Sequence, residues 1–404
     1  MLRSALLAAA DTTERVLDRL KFSAKWRYHL WDHLRVQPYR GFGTRGDGSG
    51  DGSGDGGSLH LRGRVLDDRR PEKPSPGQPT WRNALSTLRR VESDEIPDAR
   101  VRLELEGEPP RHATTDEDGF FYFDVRRETA WPDPERVWQE MRVALEAPVP
   151  DASNAEDATE PARVIVPHAE EADFAVVSDL DDTVIRTGAT NKLQMARVIL
   201  LNNASTRTPF PGVSALYRAL AEGPDAESHN PIFYVSSSPY NLYDMFQSFF
   251  EAQDIPPGPL FLKDYGITAE RFFKTGHGKH KTERVERLVE TYPHLRFVLV
   301  GDSGQRDPEI YRQVVGDHGP EHVRAVFIRD VTSPERDAEV HAIARQVERM
   351  GVPMFLVEDT AEAATRAAQQ DLITEDAAET VREEMERAER TKEAPSGWRE
   401  RLLG

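Results

Sequence analysis

The 404-residue chain has no cysteine, which removes disulfides, thiolate nucleophiles and cysteine-bound zinc from consideration and fits a cytoplasmic setting. Long hydrophobic runs are missing as well, since none approaches the roughly 18 apolar residues of a membrane span. The apolar start, Met1–Ala10, meets Asp11, Glu14 and Arg15 at once and is too short for a signal peptide. Positive charge is the third scarcity. With 52 Lys and Arg against 70 Asp and Glu the net charge is −18, which argues against nucleic acid as a partner, because phosphate backbones are bound by clustered cations.

One segment runs against that trend. Residues 1–40 hold eight Lys or Arg against four Asp or Glu, a local +4 that leaves −22 for the rest. Leu17, Leu20, Ala24, Tyr28 and Trp31 recur there at helical spacing. The spacing predicts an amphipathic helix that either packs on its own protein or lies at the periphery of an anionic membrane.

The length suggests two or three domains. After residue 40 a Gly-, Asp- and Ser-rich stretch, 46–58, reads as a loop. Short runs of alternating apolar and polar residues follow at Leu59–Leu66, Ala99–Glu106, Gly119–Val125 and Met141–Leu145, separated by turn-rich pieces. Alternation is the period of half-buried strands, so 41–170 is read as a small antiparallel β-sandwich domain with Gly/Ser-rich and Pro-rich loops. From Phe174 the pattern becomes apolar runs (174–177, 232–235, 297–300, 323–328, 354–357) alternating with amphipathic stretches near 212–222, 240–252, 281–292, 308–315 and 335–350. That is the signature of βαβ units and an α/β, three-layer, Rossmann-like parallel sheet over 171–360. The Ala- and Glu-rich remainder, 361–404, reads as an acidic, solvent-facing helical segment.

Chemistry gathers where the apolar runs end. Phe174-Ala-Val-Val-Ser-Asp179-Leu-Asp181-Asp182-Thr183 delivers carboxylates to the carboxyl end of a strand, where open α/β sheets bind ligands. Later runs supply Ser236, Lys281 and Gly301-Asp302-Ser-Gly-Gln-Arg-Asp307. Phosphoryl transfer through an aspartyl phosphate needs such parts: a carboxylate nucleophile, a second carboxylic acid near the leaving oxygen, a hydroxyl and a cation on the phosphoryl group, and carboxylates for Mg²⁺. The residues alone leave rivals open. Ser237 or Ser238 can replace Ser236, Lys279 competes with Lys281, Asp182 reads as a turn residue, and Asp307 can simply cap the helix beginning near Pro308. His277 and His280 read as solvated loop histidines.

The four pieces resemble, in order, the DxDxT, serine, lysine and GDxxxxD motifs of the haloacid dehalogenase superfamily of phosphatases. Tyr234-Val-Ser-Ser-Ser-Pro239, Pro257–Gly266, His280-Lys281 and Gly301–Tyr311 further resemble the catalytic domain of the actin-patch phosphatidate phosphatase family. Pro38–Gly43 and His60–Val65 look like the N-terminal portion of its bacterial members, with the β-sandwich ahead of the haloacid dehalogenase-like domain. The resemblance implies Mg²⁺-dependent hydrolysis of phosphatidate to diacylglycerol. It casts Asp179 as nucleophile and Mg²⁺ ligand, and Asp181 as acid/base whose backbone carbonyl reaches the metal. Asp302 follows as a metal ligand and Asp307 as either a ligand or an outer-shell partner, Ser236 and Lys281 hold the phosphoryl group, and Thr183 adds a supporting hydroxyl. The connections after Thr183 and Ser236 are too short for a full cap domain, so an open site is expected, with Leu193–Leu201 as either a flap or a core helix. A soluble phosphoester or phosphoprotein substrate, and an idle scaffold, are the competing readings.

Overall fold

The computed structural model describes residues 34–46, 56–67, 94–148, 158–185, 209–263 and 277–393. Residues 1–33 and Leu193–Leu201, which carry most of the expected N-terminal helix and the whole flap candidate, lie outside the described residues.

The N-terminal unit is built from β1 (Leu34–Pro38), β2 (Gly41–Gly43), β3 (Ser58–Asp67), β4 (Asp94–Glu95), β5 (Arg100–Glu104), β6 (Arg111–Thr114), β7 (Phe120–Arg126), β8 (Trp138–Ala147) and β9 (Thr159–Ile165). The long β3 is the hub, pairing antiparallel with β1, β2, β4 and β7. The other arm runs β2-β9-β8-β5-β6, and the nine-stranded sheet packs on a core of its own that includes Leu34, Val36, Leu61, Val101, Phe121 and Val143. The unit is mixed rather than wholly antiparallel, because β2 lies parallel to β9. Helical spacing also misled at its start. Residues 34–38, assigned from sequence to the helix of 1–40, form a strand whose Leu34 and Val36 enter the sandwich core. An alternating run of only five residues cannot be told from the end of a helix by period alone.

The second unit is a six-stranded, all-parallel sheet of β10 (Phe174–Asp179), β11 (Ile232–Pro239), β12 (Leu260–Lys263), β13 (Arg296–Asp302), β14 (Val323–Arg329) and β15 (Met354–Val357), in the order β12-β11-β10-β13-β14-β15. β10 is buried at every position, as a central parallel strand with helices on both faces must be. Its side chains alternate. Phe174 and Val176 join one core layer, and Ala175 and Val177 the other.

The first layer contains α1 (Val213–Glu222), α2 (Tyr243–Ala252, entered through a 3₁₀ turn at Tyr240–Leu242), α6 (Thr360–Gln369) and α7 (Glu375–Glu393). The second contains α3 (His277–Thr291), α4 (Asp307–His322) and α5 (Pro334–Arg349). α4 breaks at Gly319, which takes φ 69 ahead of Pro320. The C-terminal helices are not simply solvent-facing, since Ala363, Ala364, Ala367, Leu372, Ile373, Ala378 and Val381 are buried in the first layer. Alanine is short enough to bring helix backbone close to its neighbours, so an Ala/Glu pattern conceals a packed face.

From β10 the chain steps outward through β11 to β12, then returns to the other side of β10 for β13 to β15. Strand order therefore reverses between β10 and β13. In open α/β sheets the crevice at that reversal is the binding position, and these two strands end in Asp179 and Asp302.

Candidate active site

Each polar residue singled out in the sequence lies at or just beyond a strand's carboxyl end, or on the first turns of a following helix. Asp179 closes β10, Ser236 lies near the end of β11, Asp302 closes β13, Lys281 is on α3 and Asp307 is the first residue of α4. All are buried, as are Asp181 and Thr183. Beyond Asp179 the chain turns sharply, with Asp182 at φ 55 and Asp182 N–H donating to the Ile185 carbonyl. Left-handed backbone suits an Asp in a turn, the role read for it from sequence.

Two clusters result. In the first, Lys281 Nζ lies 2.8 Å from Asp179 Oδ1 and 2.5 Å from Asp307 Oδ1. Asp302 N–H donates to Asp307 Oδ2 at 3.3 Å, and Gln305 N–H donates to Asp302 Oδ1 at 2.9 Å. The N-cap position of α4 is held by Arg306, and Asp307 opens the helix itself. Its carboxylate is turned inward to Lys281, so the capping alternative does not describe it. In the second cluster Ser236 Oγ donates to Asp181 Oδ2 at 2.8 Å and accepts from Ser238 N–H at 2.9 Å. Ser238 Oγ reaches the same carboxylate only at 3.4 Å, so Ser236 is the closer of these two serines to Asp181. Thr183 Oγ1 is buried without a hydrogen-bond partner among the described residues. For His277, Lys279 and His280 only the backbone, within α3, is described.

Gly301 makes the first cluster possible. A Cβ there would fall 2.5 Å from Asp307 Oδ2 and 2.7 Å from Asp307 Cβ, so a side chain at 301 and the inward carboxylate of Asp307 exclude each other.

The electrostatics follow from burial. Loss of solvent drives Asp179 well above the usual carboxylate range; Lys281 opposes that rise, while Asp307, Asp302 and Asp181 add to it. Asp302 is pushed up to about 7 by burial and by Asp307, again against Lys281. Burial alone would lower Lys281, but Asp179 and Asp307 outweigh it and the net shift is upward. One ammonium thus faces three buried carboxylates.

Asp179, Asp302 and Asp307 each offer an oxygen within 4.8 Å of the others. Hard oxygen donors in excess of local positive charge fit a divalent cation, and this group can hold one. The carboxyl of Asp181 belongs to the serine cluster and is not part of that group.

Two residues of the site carried no assignment from sequence. Gln305 donates its side-chain amide to Asp179 Oδ2 and Asp302 Oδ2, both at 3.2 Å. It stands inside the acidic motif three residues after Asp302, a signal overlooked because amides are not titratable. Arg336 on α5 holds the motif loop, with Nε donating to the Ser303 carbonyl at 3.1 Å, Nη2 to the Gln305 carbonyl at 3.2 Å, and the guanidinium paired with Glu309. Thirty residues of separation hide that contact from any motif.

The geometry agrees with the comparisons to known proteins. The family model described as "Phosphatidate phosphatase APP1, catalytic domain" matches residues 174–330. Phosphatidate phosphatase APP1 of Saccharomyces cerevisiae is 27% identical over 227 residues, covering 54% of this chain and 37% of that protein. An uncharacterized protein of Schizosaccharomyces pombe is 25% identical over 162 residues, 40% of this chain and 26% of its own. The chain therefore spans well under half the length of both curated relatives. Among solved structures, a β-glucuronidase of Bifidobacterium dentium covers 80% of this chain and 52% of its own at TM-score 0.24 and 11% identity, too low a similarity to bear on the fold. The matched segment opens on β10 and closes just past β14, and so contains every residue of both clusters: residues 174–330 belong to the phosphatidate phosphatase APP1 catalytic-domain family.

Proposed function

We propose that this protein is a Mg²⁺-dependent phosphatase that works through an aspartyl phosphate and removes phosphate from phosphatidate, giving diacylglycerol. The observation that carries the reading is the division of labour between two neighbouring carboxylates. Asp179 is ion-paired to Lys281 beside Asp302 and Asp307, whereas Asp181 is hydrogen-bonded to Ser236.

Asp179, Asp302 and Asp307 would hold a Mg²⁺ ion, which would supply positive charge to the phosphoryl oxygens. Asp179 attacks phosphorus through a carboxylate oxygen. The bond from phosphorus to the ester oxygen breaks, and Asp181 gives its proton to the departing alcohol. A water then attacks the phosphorus of the aspartyl phosphate, passes its proton to Asp181 and releases inorganic phosphate, regenerating the Asp179 carboxylate. Ser236 fixes the Asp181 carboxyl for both transfers, and Lys281 holds Asp179 while presenting charge to the phosphoryl group. Thr183, whose hydroxyl has no partner among the described residues, is free to donate to a phosphoryl oxygen.

The lipid comes from the family and from the printed name of the yeast relative. Among the described residues no helix is long and apolar enough to cross a membrane, and a lipid substrate would be met at a membrane surface. The test is Mg²⁺-dependent phosphate release from phosphatidate vesicles and from water-soluble phosphoesters, with Asp179→Asn as control. Release from vesicles that is lost in Asp179→Asn is expected. Release from soluble esters alone would reject the lipid, and no release from either would favour the scaffold reading.

A further inference from the structure

Gln305 stands inside the acidic cluster but has no part in the chemistry above. Its Nε2 lies 3.2 Å from Asp179 Oδ2 and 3.2 Å from Asp302 Oδ2, while its backbone N–H holds the other oxygen of Asp302. The two donors of one amide thus bridge two carboxylates of the group that can hold a cation. An ion sharing oxygens of both carboxylates would compete with the amide for them. The amide and the ion cannot occupy the space between Asp179 and Asp302 together. The backbone of Gln305 is gripped on both sides, by Asp302 at its N–H and by Arg336 at its carbonyl, so it is the side chain that has to turn.

Resting on the metal reading of this site, we propose that Gln305 is an internal competitor for the cation. Its amide holds the Asp179 and Asp302 carboxylates together, must rotate out before an ion is shared between them, and so sets a weaker cation affinity than the carboxylates alone would give. An amide bonded to two carboxylates makes two charge-assisted hydrogen bonds. Giving them up on ion entry subtracts from the binding free energy, whereas a side chain with no donor subtracts nothing.

The test is calorimetric titration of the chelator-treated, dialysed full chain with MgCl₂ and with MnCl₂, on wild type, Gln305→Ala, Gln305→Met and Asp302→Asn. Gln305→Met keeps side-chain length and guards against a cavity effect of alanine. The expected result is binding about tenfold tighter in both Gln305 variants, about 1.4 kcal/mol by the affinity relation. Thermal melting should agree: the Gln305 variants melt lower than wild type in chelator and gain more from added Mg²⁺. Equal or weaker cation binding in both Gln305 variants overturns the competitor role and leaves the metal site standing. Absence of binding by wild type, with Asp302→Asn indistinguishable from it, overturns the metal reading and this inference with it.

Discussion

Replacing Lys281 by Met keeps an unbranched side chain and removes the one cation, among the described residues, in contact with Asp179 and Asp307, 2.8 and 2.5 Å away. Breaking a buried pair from one side costs about 3–5 kcal/mol, because the remaining charge is stranded without solvent. Here Asp179 and its neighbour Asp302, both raised, can relieve the stranded charge by taking up protons, which makes the cost depend on pH. In the wild-type protein Asp302 titrates at about 7 in the fold against 3.8 as its ordinary value. The folded form therefore binds the proton more tightly, and the stability that proton brings is present below pH 3.8 and lost as pH rises towards 7. Lys281 opposes the rise at both Asp179 and Asp302, so its loss moves both further upward and extends the window of declining stability above pH 7. The expected penalty for Lys281→Met is about 3–5 kcal/mol at pH 8 and clearly smaller at pH 5, where the raised Asp179 and Asp302 carboxyls take up protons. For a domain of this size that corresponds to a melting shift of about 2–4 °C per kcal/mol. Urea unfolding of both proteins in chelator at the two pH values measures it. A penalty below about 1 kcal/mol at pH 8, or one that grows towards pH 5, would refute the electrostatic account of the cluster, since neither is compatible with three carboxylates relying on one ammonium.

Two further outcomes bear on the same geometry. Gly301→Ala places a Cβ 2.5 Å from Asp307 Oδ2 and should destabilise the fold by about 1–3 kcal/mol, with Mg²⁺ stabilisation measured by calorimetry lost alongside, while the distant Gly316→Ala, whose Cβ meets nothing within 4 Å, changes neither. Ser236→Ala removes the donor on Asp181 Oδ2 and should lower kcat by about 10²-fold, the lower end of what a positioned acid/base contributes, with a displaced limb in the pH–rate profile and little change in KM.

Much of the catalytic half was legible because its strands are continuous apolar runs that stop at polar residues. A strand buried on both faces is apolar over most of its length, so the end of an apolar run lies close to the carboxyl edge of the sheet, as it does at Asp179, Ser236 and Asp302. β12 was harder, since Leu260–Lys263 is only four residues long and follows a Pro- and Gly-rich stretch that reads as loop. In the sandwich, Leu34–Pro38 and Gly41–Gly43 are similarly short, and the parallel pairing of β2 with β9 joins segments some 120 residues apart. Nothing local in either strand records that pairing. Arg336 was hidden for the same reason, as its partners are backbone carbonyls, which every residue possesses.

The N-terminal sequence that resembled the family outside its catalytic domain, Pro38–Gly43, acquires a physical reason from where it lands. Tyr39 stacks on Tyr240 with ring centroids 4.7 Å apart and meets Tyr243 at 4.3 Å, and the Arg40 N–H donates to the Tyr243 hydroxyl at 2.8 Å. Phe42 sits among Phe233, Phe261 and Tyr292, in the core layer on the opposite side of the parallel sheet from Tyr39. Gly41 lies between them because a Cβ there would come within 2.5 Å of the His60 carbonyl. Four consecutive residues thus plug one unit into both core layers of the other. Tyr240 and Tyr243 begin only two residues after the serines that serve Asp181, and Arg64 adds a hydrogen bond to Asn241 between them. The N-terminal β-unit therefore grips the segment that leads directly out of the Ser236 strand, and buried aromatic contacts of this kind admit little slack. That places the β-unit in the mechanical support of the acid/base half of the site, while the cation-holding half is supported from the far side by Arg336.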